Sequence, residues 1–117
     1  MATIRIMTYN VHGCRDASGR FDPERVLEVI GEAAADIVAL QEAAGLAPDP
    51  LPRLAERLGM RAYGQPGCDN AFLSYYHLRG VQTCDLGEGC CLRADVDVAG
   101  RRMHLLNLRL DPVSRPR

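Results

Sequence analysis

Two apolar segments each run into polar groups of the kind that hold a hard cation or a phosphate. Ile6-Met7-Thr8-Tyr9 leads to Asn10 and His12, and Ile37-Val38-Ala39-Leu40 leads to Gln41 and Glu42. Mg²⁺ typically takes one or two carboxylates and completes its shell with water and substrate phosphate oxygens. A lone glutamate at the mouth of a sheet suits that habit, so Glu42 is the candidate metal ligand. Asn10, at the end of the neighbouring strand, could donate to a phosphate oxygen or orient a metal-bound water. The cation would then polarise the phosphoryl group and help form the nucleophile. His12 lies close enough to assist. A plainer alternative stands beside this: Asn, His and Gly after a strand are ordinary turn residues, and Gln-Glu is an ordinary solvated exit. Each residue alone fits that alternative, and only their joint occurrence favours chemistry.

Positioning these groups requires a sheet with helices against it. Residues 3–9 read as a strand, with Ile4 and Ile6 on one face and Met7 and Tyr9 on the other. Asp22-Pro23 announces a helix, an N-cap with proline at the first helical position. Val26, Leu27, Ile30 and Ala34 follow at helical spacing as its buried stripe. The continuous apolar run 37–40 predicts a strand covered on both faces. A second helix opens at Asp49-Pro50, carries Leu51, Leu54, Ala55 and Leu58, and stops at Gly59. Strand-like segments follow near 60–63, 70–76 and 80–84, then a hairpin of 91–98 and 102–110 turning at Ala99-Gly100. This order predicts an α/β (α+β) fold, a mixed β-sheet with two helices packed on one face. The other face of that sheet is apolar too, and it needs a second layer.

Composition narrows the function classes. The 117 residues read as one domain, 1–117, with 47% hydrophobic and 25% charged residues. No apolar run is long enough to span a membrane, and no signal region precedes the first strand, so the expected location is cytoplasmic. The net charge is −1 and every basic residue is an arginine, which is no footprint of nonspecific nucleic-acid binding, although a local arginine patch remains compatible with it. The five cysteines, Cys14, Cys68, Cys84, Cys90 and Cys91, are odd in number and lack metal-site spacing, so reduced thiols are expected. Cys14 reads as an inert loop thiol. Ser18, Ser74 and Ser114 lack the context of a nucleophile elbow, and no glycine-rich loop has P-loop or dinucleotide spacing.

Thr8-Tyr9-Asn10-Val11-His12-Gly13, a helix opened by Phe21-Asp22-Pro23-Glu24-Arg25-Val26, and Asp36-Ile37-Val38-Ala39-Leu40-Gln41-Glu42 occur in an order that resembles the start of the endonuclease/exonuclease/phosphatase (DNase I-like) family. The resemblance implies a Mg²⁺- or Mn²⁺-dependent phosphodiesterase or phosphatase, with Asn10 and Glu42 at the family's metal-site positions. Asp69-Asn70-Ala71-Phe72-Leu73-Ser74 is similar to a Gly-Asn-Ala-Ile-Leu-Ser segment of the family, with Asp69 in place of glycine. It makes Asn70 a candidate substrate-binding residue, or equally a strand-entry asparagine bonded to local backbone. Asn107-Leu108-Arg109-Leu110 is similar to the family's Asn-Thr-His-Leu strand end. Arg109 replaces the histidine; it could grip a phosphate with its planar fork but cannot serve as a general acid near neutral pH.

The resemblance covers the N-terminal half of the family's domain. It implies half of a four-layer αββα sandwich, without the later aspartates, asparagine and histidine that complete the site. The expected function is therefore a metal-dependent phosphoester hydrolase-like protein, incomplete as an enzyme on its own. A homodimer or a partner chain would cover the open sheet face. The alternative is a non-catalytic, cation-binding or dimerising module derived from the family. Nucleic acids, phospholipid head groups and inositol phosphates are all substrate classes within that family, and the sequence does not choose among them.

Overall fold

A computed structural model describes residues 3–87 and 89–110. The strand β1, Ile6–Asn10, is followed by a short turn at His12–Cys14 and by helix α1, Pro23–Ala33. Strand β2, Ile37–Gln41, helix α2, Leu51–Leu58, and strands β3, Arg61–Tyr63, and β4, Ala71–Ser74, come next. Strands β5, Leu78–Thr83, β6, Cys90–Val98, and β7, Arg101–Arg109, close the described chain. Among the described residues, no helix is long and apolar enough to cross a membrane.

Strands β1 and β2 are parallel, and α1 is the crossover between them, as a parallel pair requires. Strand β4 runs antiparallel on the other side of β2, and β3 pairs at the edge, giving the order β1-β2-β4-β3. All of β2 is buried, as its unbroken apolar run predicts. Val38 and Leu40 join Val26, Leu27, Ile30 and Leu54 of the helices in one core. Ile37 and Ala39 face the opposite way with Phe72. The two helices are also tied at the surface, where Arg53 and Arg57 both donate to Glu24 at 2.7 Å. These guanidinium bonds hold the Glu24 carboxyl below its ordinary range.

The strands do not form one sheet. Strands β5, β6 and β7 make a separate antiparallel meander. The alternating residues Leu92, Ala94, Val96 and Val98 of β6 pack on Ile37, Ala39 and Phe72. The face that the sequence leaves open on the helix-covered sheet thus packs against the meander inside the chain. Alternation shows that a strand has two unlike faces but not which sheet it joins, because pairing is non-local. What does stay exposed is the outer side of β7, where Leu106 and Leu108 are 63% and 47% exposed, and Leu110 beyond it is 64% exposed.

Smaller departures have local causes. Ala34 is exposed rather than part of the buried stripe, since it caps α1 with a left-handed backbone at φ 51°. The segment 70–76 yields only four strand residues, because Ser74 Oγ accepts from the Tyr76 amide and bends the chain there. The hairpin turns as expected: Val98 pairs with Arg101, and Ala99 and Gly100 both have positive φ, the twist that suits two antiparallel strands. Cys68 and Cys90 are joined by a disulfide, Cα atoms 5.9 Å apart, which corrects the expectation of reduced thiols throughout. The two are 22 residues apart, and only the packing of the two sheets brings them together.

Candidate metal-binding site

The register of the parallel pair sets Asn10 beside Gln41, so both strands deliver their carboxyl ends to one edge of the sheet. Ligands of α/β sheets gather at such edges. Past that edge both chains turn sharply. His12, Gly13 and Cys14 have φ of 51°, 66° and 58°, and Glu42 has φ 54°. Left-handed backbone at a residue bearing a long side chain is unfavourable by about 1–2 kcal/mol, and such strain gathers where function needs it. Backbone bonds hold the two turns together. Val11 N donates to Gln41 O at 3.2 Å, Gly13 N to Glu42 O at 2.8 Å, and Ala43 N to Asp69 O at 2.8 Å.

This backbone aims three side chains at one point. Asn10 Nδ2 donates to Glu42 Oε2 at 2.5 Å, while Asn10 Oδ1 accepts from the His12 amide at 3.0 Å. Only this orientation of the amide satisfies both neighbours, so Asn10 is fixed and in turn fixes the glutamate. Its oxygen is engaged, and its geometry is that of a residue positioning Glu42. His12 Nδ1 stands 3.6 Å from Glu42 Oε2, with the His12 side chain 72% exposed and that of Glu42 38% exposed. A cleft of about 290 Å³ opens in front of them, with His12, Arg15, Glu42 and Asp69 as its polar lining.

Arg109 reaches the same region indirectly. Its Nε donates to Asp69 Oδ1 at 3.2 Å, both side chains being largely covered. Asp69, the residue standing where the family segment has glycine, is therefore part of the site, and that departure was its only signal in the sequence. Asn70 is placed otherwise than the substrate-binding expectation. It is fully buried, and its Nδ2 donates to Asn107 O at 3.0 Å, which turns the side chain into the protein and away from solvent. Its Oδ1 has no partner among the described residues. Asn107 is the centre of this floor: its Oδ1 accepts from Gln41 Nε2 at 2.8 Å, and its Nδ2 donates to Leu40 O and Ala71 O. Gln41 also donates to Thr8 Oγ1 at 3.1 Å. Sequence places Gln41 beside Glu42 and Asn107 in a family-like strand end but assigns neither a role in such a floor.

Cys14 is buried beneath the turn, and burial, with Asp22 adding to it, pushes its thiol up to about 11. It is inert, as expected of a structural thiol. Among the described residues, no group of three or more His, Cys, Asp or Glu side chains encloses a metal. A cation at this edge would rest on Glu42 and on oxygens from water or substrate. That donor set fits Mg²⁺, which seldom uses an all-protein cage.

The model of the Endonuclease/Exonuclease/phosphatase family matches residues 7–115. The chain belongs to that family. Endonuclease/exonuclease/phosphatase proteins are phosphoester hydrolase-like and generally use divalent metals. Solved structures agree on the fold. The chain is similar to TDP2 from C. elegans at TM-score 0.72 and 19% identity, covering 94% of this chain and 36% of that one. It is similar to an endonuclease/exonuclease/phosphatase from Beutenbergia cavernae at TM-score 0.66 and 24% identity, covering 88% and 37%. A D. rerio TDP2 complexed with single strand DNA product gives TM-score 0.66 and 19% identity over 88% and 44%. No curated protein sequence matches. The chain thus spans well under two thirds of the length of these solved members of the endonuclease/exonuclease/phosphatase family.

Proposed function

We propose that this chain carries the cation-binding part of a Mg²⁺- or Mn²⁺-dependent phosphoester hydrolase and is incomplete as an enzyme by itself. The observation that carries the reading is the Asn10–Glu42 unit, a carboxylate held on strained backbone at the joined ends of two parallel strands. Glu42 holds the cation. Asn10 orients Glu42, and His12 stands beside it as a donor or acceptor for the substrate or its water. Arg109, oriented by Asp69, is the group that grips a phosphate oxygen. When bound, the cation supplies charge for the phosphoryl oxygens and lowers the pKa of its water. Asn70 has no part in substrate contact; it braces the floor.

Two observations support incompleteness. His12 is the one imidazole described at the cleft, and the match covers only 36% and 37% of two solved relatives. The exposed Leu106, Leu108 and Leu110 offer a surface for a further layer, a second copy or a separate chain. A strictly monomeric species in light scattering at high micromolar concentration would remove the dimer from this reading. One structural neighbour holds a single strand DNA product, which makes nucleic-acid phosphodiesters the first substrate class to try.

The test is hydrolysis of a generic phosphodiester with Mg²⁺ or Mn²⁺, comparing the chain with Glu42→Ala. Weak turnover that vanishes in the variant is the expected result. Turnover equal in the two would overturn the assignment of Glu42. No turnover in either would favour a non-catalytic cation-binding module, a reading that the engagement of Arg109 by Asp69 also suits.

A further inference from the structure

The adjacent residues Cys90 and Cys91 point to opposite faces of β6, and each finds another cysteine there. Cys90 turns inward to Cys68. Cys91 turns outward, and Cys84 is waiting for it. The register of β5 on β6 pairs Thr83 with Leu92, so the next position sets Cys84 directly opposite Cys91. The Cys84 amide donates to the Cys91 carbonyl at 3.0 Å. Directly opposed residues of a hydrogen-bonded antiparallel pair have Cα atoms about 5.5 Å apart, which is the usual span of a disulfide. Both cysteines are free thiols, Cys91 buried and Cys84 partly exposed.

We propose that Cys84 and Cys91 are a redox-modification site, a dithiol that a small-molecule disulfide such as oxidised glutathione converts to a cross-strand bond. The entry point is Cys84, because it is the accessible one and because the reactive species is a thiolate. Burial, with the neighbouring Cys84 adding to it, holds the Cys91 thiol up and in its protonated form. The Cys84 thiolate attacks one sulfur of the glutathione disulfide, giving a mixed disulfide and releasing one reduced glutathione. Cys91, losing its proton to water, then attacks the Cys84 sulfur and expels the second glutathione. Two thiols are oxidised and one disulfide is reduced, so atoms and electrons balance. The product ties the end of β5 to β6 on the outer face, opposite the Cys68–Cys90 link on the inner face.

The experiment treats the intact chain with oxidised glutathione, blocks remaining thiols after denaturation, and maps the unreduced peptides by mass. Cleavage before Asp69 and Asp85 puts Cys68, Cys84 and the Cys90-Cys91 pair on separate peptides, so a Cys84–Cys91 bond beside Cys68–Cys90 shows as three joined peptides, and fragmentation between Cys90 and Cys91 assigns each bond. The Cys84–Cys91 bond, with no glutathione retained, is the expected result. In Cys91→Ala the glutathione should instead remain on Cys84, because no second thiol is in reach. A lasting Cys84–glutathione adduct in the parent chain, a bond from Cys84 to any other cysteine, or failure of Cys91→Ala to take up glutathione would each overturn the proposal.

Discussion

Asn107→Ala is expected to lower stability by about 3 kcal/mol, more than a change at any exposed residue of the same strand. Asn107 is 1% exposed and bridges the two sheets from β7. Its side chain serves the Leu40 and Ala71 carbonyls and the amides of Gln41 and Asn70. Stranding a buried polar group costs about 1–3 kcal/mol, and water entering the new space would recover part of the summed loss. Because Leu40 and Gln41 end the strand that carries Glu42, the same change should also loosen the site. Leu106→Ala, on the exposed side of the same strand, should stay within about 0.5 kcal/mol of the parent. Denaturant unfolding of the three proteins checks this. A loss under about 1 kcal/mol for Asn107→Ala would mean that apolar packing alone holds the sheets together.

Glu42→Gly should abolish the cation-dependent function while raising stability by about 1 kcal/mol. Glu42 sits at φ 54°, where glycine is at ease and a side chain is not. The variant loses the carboxylate that accepts from Asn10, but that carboxylate is half-open to solvent, and water can replace it as an acceptor. A residue selected for stability would not occupy this backbone, whereas a residue selected for its carboxylate would. Thermal melts of Glu42→Gly beside Glu42→Ala separate the effects, since alanine also removes the carboxylate but keeps the backbone strain. If both variants melt below the parent chain, Glu42 is a structural residue and the functional reading loses its physical basis.

The features of the site that could be read from sequence were those carried by neighbouring residues. Pro23 with Val26, Leu27 and Ile30 announces α1, and the positive φ values at Ala99 and Gly100 realise a turn visible as a break between two alternating strands. Asn10 and Glu42 were legible because each directly follows an apolar strand, and a parallel pair brings such ends together. The partition into two sheets was not legible, since the pairing of β4 with β2 rather than with β5 depends on contacts far apart in the chain. For the same reason the Gln41–Asn107–Asn70 floor stayed hidden: amides in two strands and just before a third look alike whether they are exposed or buried. Asp69 was visible only as a departure from a family segment. Its purpose, holding Arg109, needed the fold. The Cys68–Cys90 link was masked by the adjacency of Cys90 and Cys91, which obscures that the two face opposite ways.

Whether Glu42 holds a divalent cation is decided by a calorimetric titration of Mn²⁺ into the chain and into Glu42→Gln. Glutamine keeps the shape and the ability to bond with Asn10 but removes the charge that a hard ion requires. Saturable binding to the parent chain is expected, with an affinity at least about tenfold weaker in the variant, a difference of roughly 1.4 kcal/mol. Equal affinity in the two, or no binding to either, would contradict it.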